Sequence, residues 1–205
     1  MIDQAVSGFA AARAQTIAAV TPLNQVQFDF RPRPGSWSVG EVADHLVLAE
    51  ALYRGEIERL VELVKKGERP YIRRSFKDVN VSPFFLPEQV LTMFQAPLGI
   101  VSRMIPQPVR AMVTEFPLLP TRNPDIATPR PGRAGEQIKR DLVDSLAQTR
   151  ALIAGNAGMD FASMISEHPL TGVTNVVQIF GFLALHERRH HTQMEKVRTN
   201  PNFPR

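Results

Sequence analysis

Cysteine is absent from the 205-residue chain, which excludes disulfides, thiolate metal ligands and a cysteine nucleophile together, so any metal must be held by nitrogen or oxygen. Tryptophan and tyrosine are scarce, at one and two residues. The 24 lysines and arginines are spread in pairs such as Arg73-Arg74 and Arg188-Arg189 against 20 acids. Phosphate-backbone binding draws on clustered cations, so nucleic acid is not an expected partner. No apolar run reaches the roughly 18–20 residues of a membrane span, and the N-terminus lacks a basic segment followed by an apolar one. The expectation is a soluble, cytoplasmic protein with no membrane partner. Runs with a convincing β-period are missing too, which leaves an all-α reading. At 43% hydrophobic residues the chain can bury one sizeable core, and its length favours a single domain over 1–205.

What is present is a series of amphipathic segments. Asp3 to Val20 carries Val6, Phe9, Ile17 and Val20 among many alanines and stops ahead of Pro22, which reads as a first helix. Gln25 to Gly35, with Pro32 and Pro34, reads as an extended connector. In Trp37-Ser38-Val39-Gly40-Glu41-Val42, Ser38 can cap a helix with Glu41 completing a capping box, and Trp37 can staple onto Val42. That second helix should run to about Lys66, ended by Gly67 in the left-handed region and Pro70 beyond. His45 lies in its inward stripe, while Asp44, Glu41 and Glu50 read as solvent-facing acids.

Eleven of the 17 prolines fall between Pro70 and Pro131, beside apolar clusters such as Pro83-Phe84-Phe85-Leu86. The segment is too apolar for a disordered linker and reads as a long insertion over one end of the bundle, either a lid or a packing decoration. Within it, a short helix broken near Pro97 is expected over Pro87 to Arg103, with a second turn from Val109 to Thr114. Arg133 to Asn156 forms a third helix with Ile138, Leu142, Leu146 and Ile153 inward. Asp160 to Gly172 reads as a connector that places His168 in a loop or at the mouth of a site, and Thr174 reads as the cap of a fourth helix that frays before Pro201.

The fourth helix carries Leu185-His186-Glu187-Arg188-Arg189-His190-His191-Thr192-Gln193, three of the five histidines in one and a half turns. His186 and His190, four apart, share a face, the spacing at which two imidazoles can reach one ion. They continue the stripe of Val176, Ile179, Phe180, Leu183, Met194 and Val197, so they point inward, and buried imidazoles need partners for both nitrogens. In a four-helix bundle His45 can meet them. Three neutral imidazoles leave a divalent ion with open positions, the arrangement of a catalytic rather than a structural site. The pair also fits H-E-x-x-H, but Gln193 and Lys196 stand where the longer metalloprotease signature needs glycine and histidine, and the chain ends at Arg205, too soon for a downstream glutamate ligand. Glu187, rotated about 100° off the histidine face, is a candidate general base or support for the ligands, or a surface carboxylate paired with an arginine.

Pro34-Gly35-Ser36-Trp37-Ser38-Val39-Gly40-Glu41-Val42-Ala43-Asp44-His45-Leu46, then His168-Pro169 and Gly172, then His186 through Gln193, together resemble the DinB/YfiT-like superfamily of metalloenzymes. The resemblance implies an up-down-down-up four-helix bundle, a three-histidine metal site made by His45, His186 and His190, and frequent dimerisation, so that a homodimer is among the expectations. Characterised members of that superfamily include S-transferases using bacillithiol or mycothiol, a mycothiol-dependent maleylpyruvate isomerase and iron-binding domains of sulfoxide synthases. The long Pro70 to Pro131 segment departs from the pattern and does not carry substrate identity over. The leading expectation is a metal-dependent enzyme, transferring a low-molecular-weight thiol to an electrophilic small molecule. Metal-assisted hydrolysis of an amide or ester, a non-catalytic metal-binding or sensing protein, and a bundle with three core histidines and no metal are the alternatives. Zinc, nickel, iron and copper all suit imidazole sites, so the metal's identity stays open.

Overall fold

A computed structural model describes residues 1–74, 127–168 and 172–205. Among them are five helices: α1 (Ile2–Val20), α2 (Gln25–Asp29), α3 (Val39–Lys65), α4 (Gly135–Ala154) and α5 (Val176–Arg198). Three short strands accompany them: β1 (Tyr71–Arg73), β2 (Ile165–His168) and β3 (Gly172–Asn175). The protein is mostly helical, as expected for an all-α chain. No described helix is long and apolar enough to cross a membrane.

The helix starts follow from their first residues. Ser38 accepts from the Glu41 amide at 3.2 Å while the Glu41 carboxylate accepts from the Ser38 amide at 2.9 Å, the reciprocal pair that satisfies two otherwise orphaned donors of α3. Gly67, at φ 73°, takes the left-handed position after that helix. The cap of α5 is Asn175, not Thr174: its side chain accepts from the Gln178 amide at 2.9 Å, and Gln178 reaches back at 3.0 Å. Thr174 instead belongs to β3.

Two connectors are more ordered than the sequence reading has them. Asn24 and Gln27 form a capping box that starts α2 inside the expected Gln25 to Gly35 linker. Its Phe28 is fully buried between α3 and α4, and a Cβ at Gly40 or Gly135 would stand only 3.0 or 3.1 Å from the Phe28 ring. Glycine at those two positions therefore permits the close approach. The Asp160 to Gly172 connector contains β2, with His168 at its end paired to Gly172, so His168 is a strand residue and not a loop one. β1 pairs parallel to β2, and β2 antiparallel to β3, so the expected insertion opens with a strand. Strands of three or four residues are too short to display an alternating pattern. The helix expected over Pro87 to Arg103 and the turn expected over Val109 to Thr114 lie outside the described residues.

Helix α1 packs most extensively on α5 and also on α4, and α3 packs on α4 and α5. Their apolar faces form two clusters. One gathers Phe9, Ile57, Leu60, Ile153, Phe180 and Leu183, and the other Val20, Val42, Leu46, Leu142, Met194 and Val197. Each of the four long helices contributes to both, and between its two contributions each carries buried polar residues: Arg13 and Thr16 on α1, Glu50 on α3, Ser145 and Thr149 on α4, Glu187 on α5. A polar layer thus crosses the interior between two apolar ends.

Candidate metal centre

The layer has two halves, one on each side of α5. In the first, the guanidinium of Arg13 is fully buried and reaches the other three long helices. Its Nε donates to Glu187 at 2.6 Å, and its Nη1 donates to Glu50 at 2.7 Å and to the Leu142 carbonyl at 3.1 Å. Thr16 donates to the second Glu187 oxygen at 2.6 Å, and Thr149 donates to the second Glu50 oxygen at 2.7 Å. Glu50, expected to face solvent, is 1% exposed, because burial of Arg13 demands a carboxylate partner.

In the second half the three histidines converge. His45 Nε2 lies 3.2 Å from His186 Nε2, and His190 Nε2 lies 3.1 Å from the same atom. One nitrogen from each ring can be chosen so that all lie within 4.8 Å of one another. The outer nitrogens are anchored: His45 Nδ1 donates to the Ala127 carbonyl at 2.7 Å, and His190 Nδ1 donates to Gln193 Oε1 at 2.9 Å. Those bonds leave Nε2 of both rings as bare lone pairs, and both are turned on His186 Nε2. A single proton on His186 makes one good hydrogen bond, so at least one lone pair has no donor within the trio. Nitrogens bound tetrahedrally at about 2.0–2.1 Å lie about 3.3 Å apart, close to the 3.2 and 3.1 Å of the two pairs that share His186, and the donor set is of a kind that fits a divalent ion.

The surroundings favour neutral rings. Burial pushes all three imidazoles below their ordinary pKa, His190 to about 3 and His186 well down, with the positive charges the rings and Arg189 would present to one another adding to the effect. Neutral imidazole is the metal-binding form. Trp37 lies over His45 and His190 with ring centroids 5.1 and 6.4 Å away, and Phe182 stacks on His186 at 5.7 Å.

Asp44 and Glu41 are also buried rather than solvent-facing. Asp44 accepts from the Arg130 amide at 2.8 Å, from the Arg130 guanidinium at 2.7 and 3.1 Å, and from Arg133 at 2.7 Å. Burial alone would raise its carboxyl, but the Arg130 and Arg133 bonds more than offset that and hold it below the usual carboxylate range. The clamp fixes the segment that brings the Ala127 carbonyl to His45. Glu41 pairs with Arg31 at 2.6 Å while serving its cap.

The site opens on a cleft of about 710 Å³ whose walls include Trp37, His186, His190, Arg33, Arg189 and Lys196. The sequence reading missed Arg13, although it occupies the inward stripe Val6, Phe9, Arg13, Thr16, Val20, and a charged residue in such a stripe signals a buried pair. A largely helical chain whose central polar layer ends in three converging imidazoles has the make-up of a metal-binding helical protein. The DinB superfamily model matches residues 9–194, and the chain belongs to that superfamily. No curated protein and no solved structure matches it significantly.

Proposed function

We propose that the protein is a metal-dependent enzyme in which His45, His186 and His190 hold a divalent zinc, nickel or iron ion, and that it transfers a low-molecular-weight thiol to an electrophilic substrate. The observation that carries the reading is the surplus of Nε2 lone pairs at one buried point. A divalent ion bound there lowers the pKa of a coordinated thiol and keeps it as thiolate at neutral pH. The chain's own groups prepare the place. Ala127 and Gln193 fix the ring orientations, and Trp37 and Phe182 shield the imidazole faces. Protein partners of this kind typically change metal affinity by about 10–100-fold when lost.

Both oxygens of Glu187 are engaged by Arg13 and Thr16, which supports a positioning role, holding α5 in register, over that of a general base. For the same reason hydrolysis assisted by Glu187 is the weaker reading. The arrangement proposed for the helices is the up-down-down-up four-helix bundle in one domain. It is supported by the order in which each helix meets the two apolar clusters: α1 and α5 run from the Phe9 cluster to the Val20 cluster, α3 and α4 the reverse.

The test is elemental analysis of protein purified without a metal-affinity tag, followed by turnover of a thiol and an electrophile with and without added metal. About one ion per chain, lost in His45→Ala together with turnover, is expected. Absence of metal from the native protein after reconstitution attempts with zinc, nickel and iron would refute the metal site. Metal binding without metal-dependent thiol transfer would refute the reaction.

A further inference from the structure

Among the described residues, the cleft over the histidines has one sign of charge: Arg33, Arg189 and Lys196 line it, and no described aspartate or glutamate does. Lys196 follows from the helix period, since His186, Arg189, His190, Gln193 and Lys196 occur at spacings of three and four along α5. Arg33 is presented by a tight loop in which Ser36 Oγ donates to the Arg33 carbonyl at 2.7 Å. Among the described residues neither Arg33 nor Lys196 has a carboxylate partner. Three neutral imidazoles supply no negative charge, so a bound divalent ion would keep its full double charge beside these cations. A cleft of one sign with low-dielectric walls concentrates ligands of the opposite sign. Its volume lies in the range of small-molecule sites.

We propose that this cleft selects an anionic small molecule, whose carboxylate or phosphate group is held by Arg33 and Lys196 while its other end reaches His186 and His190. The proposal takes its reacting end from the metal-site reading above, but the anion subsite is made by other side chains and can be tested without metal. Guanidinium and ammonium groups are the donors that bind carboxylate and phosphate with charge-assisted hydrogen bonds.

The experiment is calorimetric titration of the metal-free full chain at low ionic strength with succinate, with inorganic phosphate and with the neutral succinamide. Saturable binding of succinate or phosphate and none of succinamide is expected, the tighter of the two anions identifying the group the site prefers. Arg33→Ala and Lys196→Ala should each weaken it roughly three- to tenfold, and Lys196→Arg should keep it close to the native value. Both alanine changes are at exposed positions, and their folding is checked by circular dichroism. No saturable binding of either anion, or binding indifferent to Arg33→Ala and Lys196→Ala, overturns the proposal. Anion binding to a chain that takes up no metal would sink the metal site and leave the cleft assignment standing.

Discussion

Consecutive residues of α5 face two different polar interiors. On the Glu187 side every oxygen of the two carboxylates has a donor: Arg13 and Thr16 serve Glu187, and Arg13 and Thr149 serve Glu50. On the His186 side the outer nitrogens of His45 and His190 are matched, and their two inner lone pairs face one His186 nitrogen that can offer at most one proton. Both halves are polar and largely buried, with His186 alone of the three rings partly exposed, so neither burial nor polarity by itself separates them. Balance does. A closed network holds elements together, whereas surplus lone pairs at one point are spare bonding capacity for something the chain does not itself supply.

The largest effect should come from opening the closed half. Arg13→Ala leaves two carboxylates without their cation in the interior, and unfolding in urea should show a loss of about 3–5 kcal/mol. Replacing the trio together, Arg13→Met with Glu50→Leu and Glu187→Leu, should be close to neutral, because it removes charges and partners at once. A trio variant as unstable as the single one would mean that the network contributes more than mutual compensation. Next comes the open half. With metal at about one hundred times its dissociation constant, the native protein should gain about 2.7 kcal/mol of stability, and stripping the metal with chelator should remove it. In His45→Ala the same titration should give no gain, measured as the metal-dependent rise in melting temperature.

This contrast was only half legible in the chain. The histidine pair announces itself by its four-residue spacing on an apolar stripe, and the Ser38/Glu41 box marks the helix that brings His45 to it. Local chemistry of this kind survives into the fold because it involves neighbours in sequence. Glu50 and Asp44 were misjudged because acids flanking a stripe usually reach water, and their partners Arg13, Arg130 and Arg133 lie 37, 86 and 89 residues away. The same holds for Ala127, whose carbonyl orients His45 across 82 residues and which no sequence pattern distinguishes from any other alanine. The small sheet escaped because its register is set between segments far apart, Tyr71 with Ile165 for example.

Acid should separate the halves again. The ordinary histidine pKa in an unfolded chain is about 6.5, and in the fold burial lowers that of His190 to about 3. The unfolded state therefore binds the extra proton between those limits, and the stability of the metal-free protein, full above pH about 6.5, should fall as pH drops toward 3. In mid-window each such histidine adds a slope of about 1.4 kcal/mol per pH unit. His190→Gln should reduce the slope measured by urea unfolding near pH 5 by about that amount. An unchanged slope would show that His190 is protonated in the native state as readily as in the unfolded one. Bound metal should resist the same acidification, since protons and metal compete for the same lone pairs.

The smallest effect tests whether the open half depends on local helix stability or on long-range clamps. Ser38→Ala removes one side of the α3 capping box, which should cost about 1 kcal/mol in global stability. His45 lies two turns further on, and its ring is held by the Ala127 carbonyl while Asp44 ties the adjoining segment down through Arg130 and Arg133. If those clamps set the ring, metal affinity measured by competition with a chromogenic chelator should stay within about threefold of the native value, well short of the roughly 10–100-fold expected on losing a group that orients a ligand. A larger loss would place the control of the site in the helix terminus, and the two halves of the polar layer would then share one support instead of having separate ones.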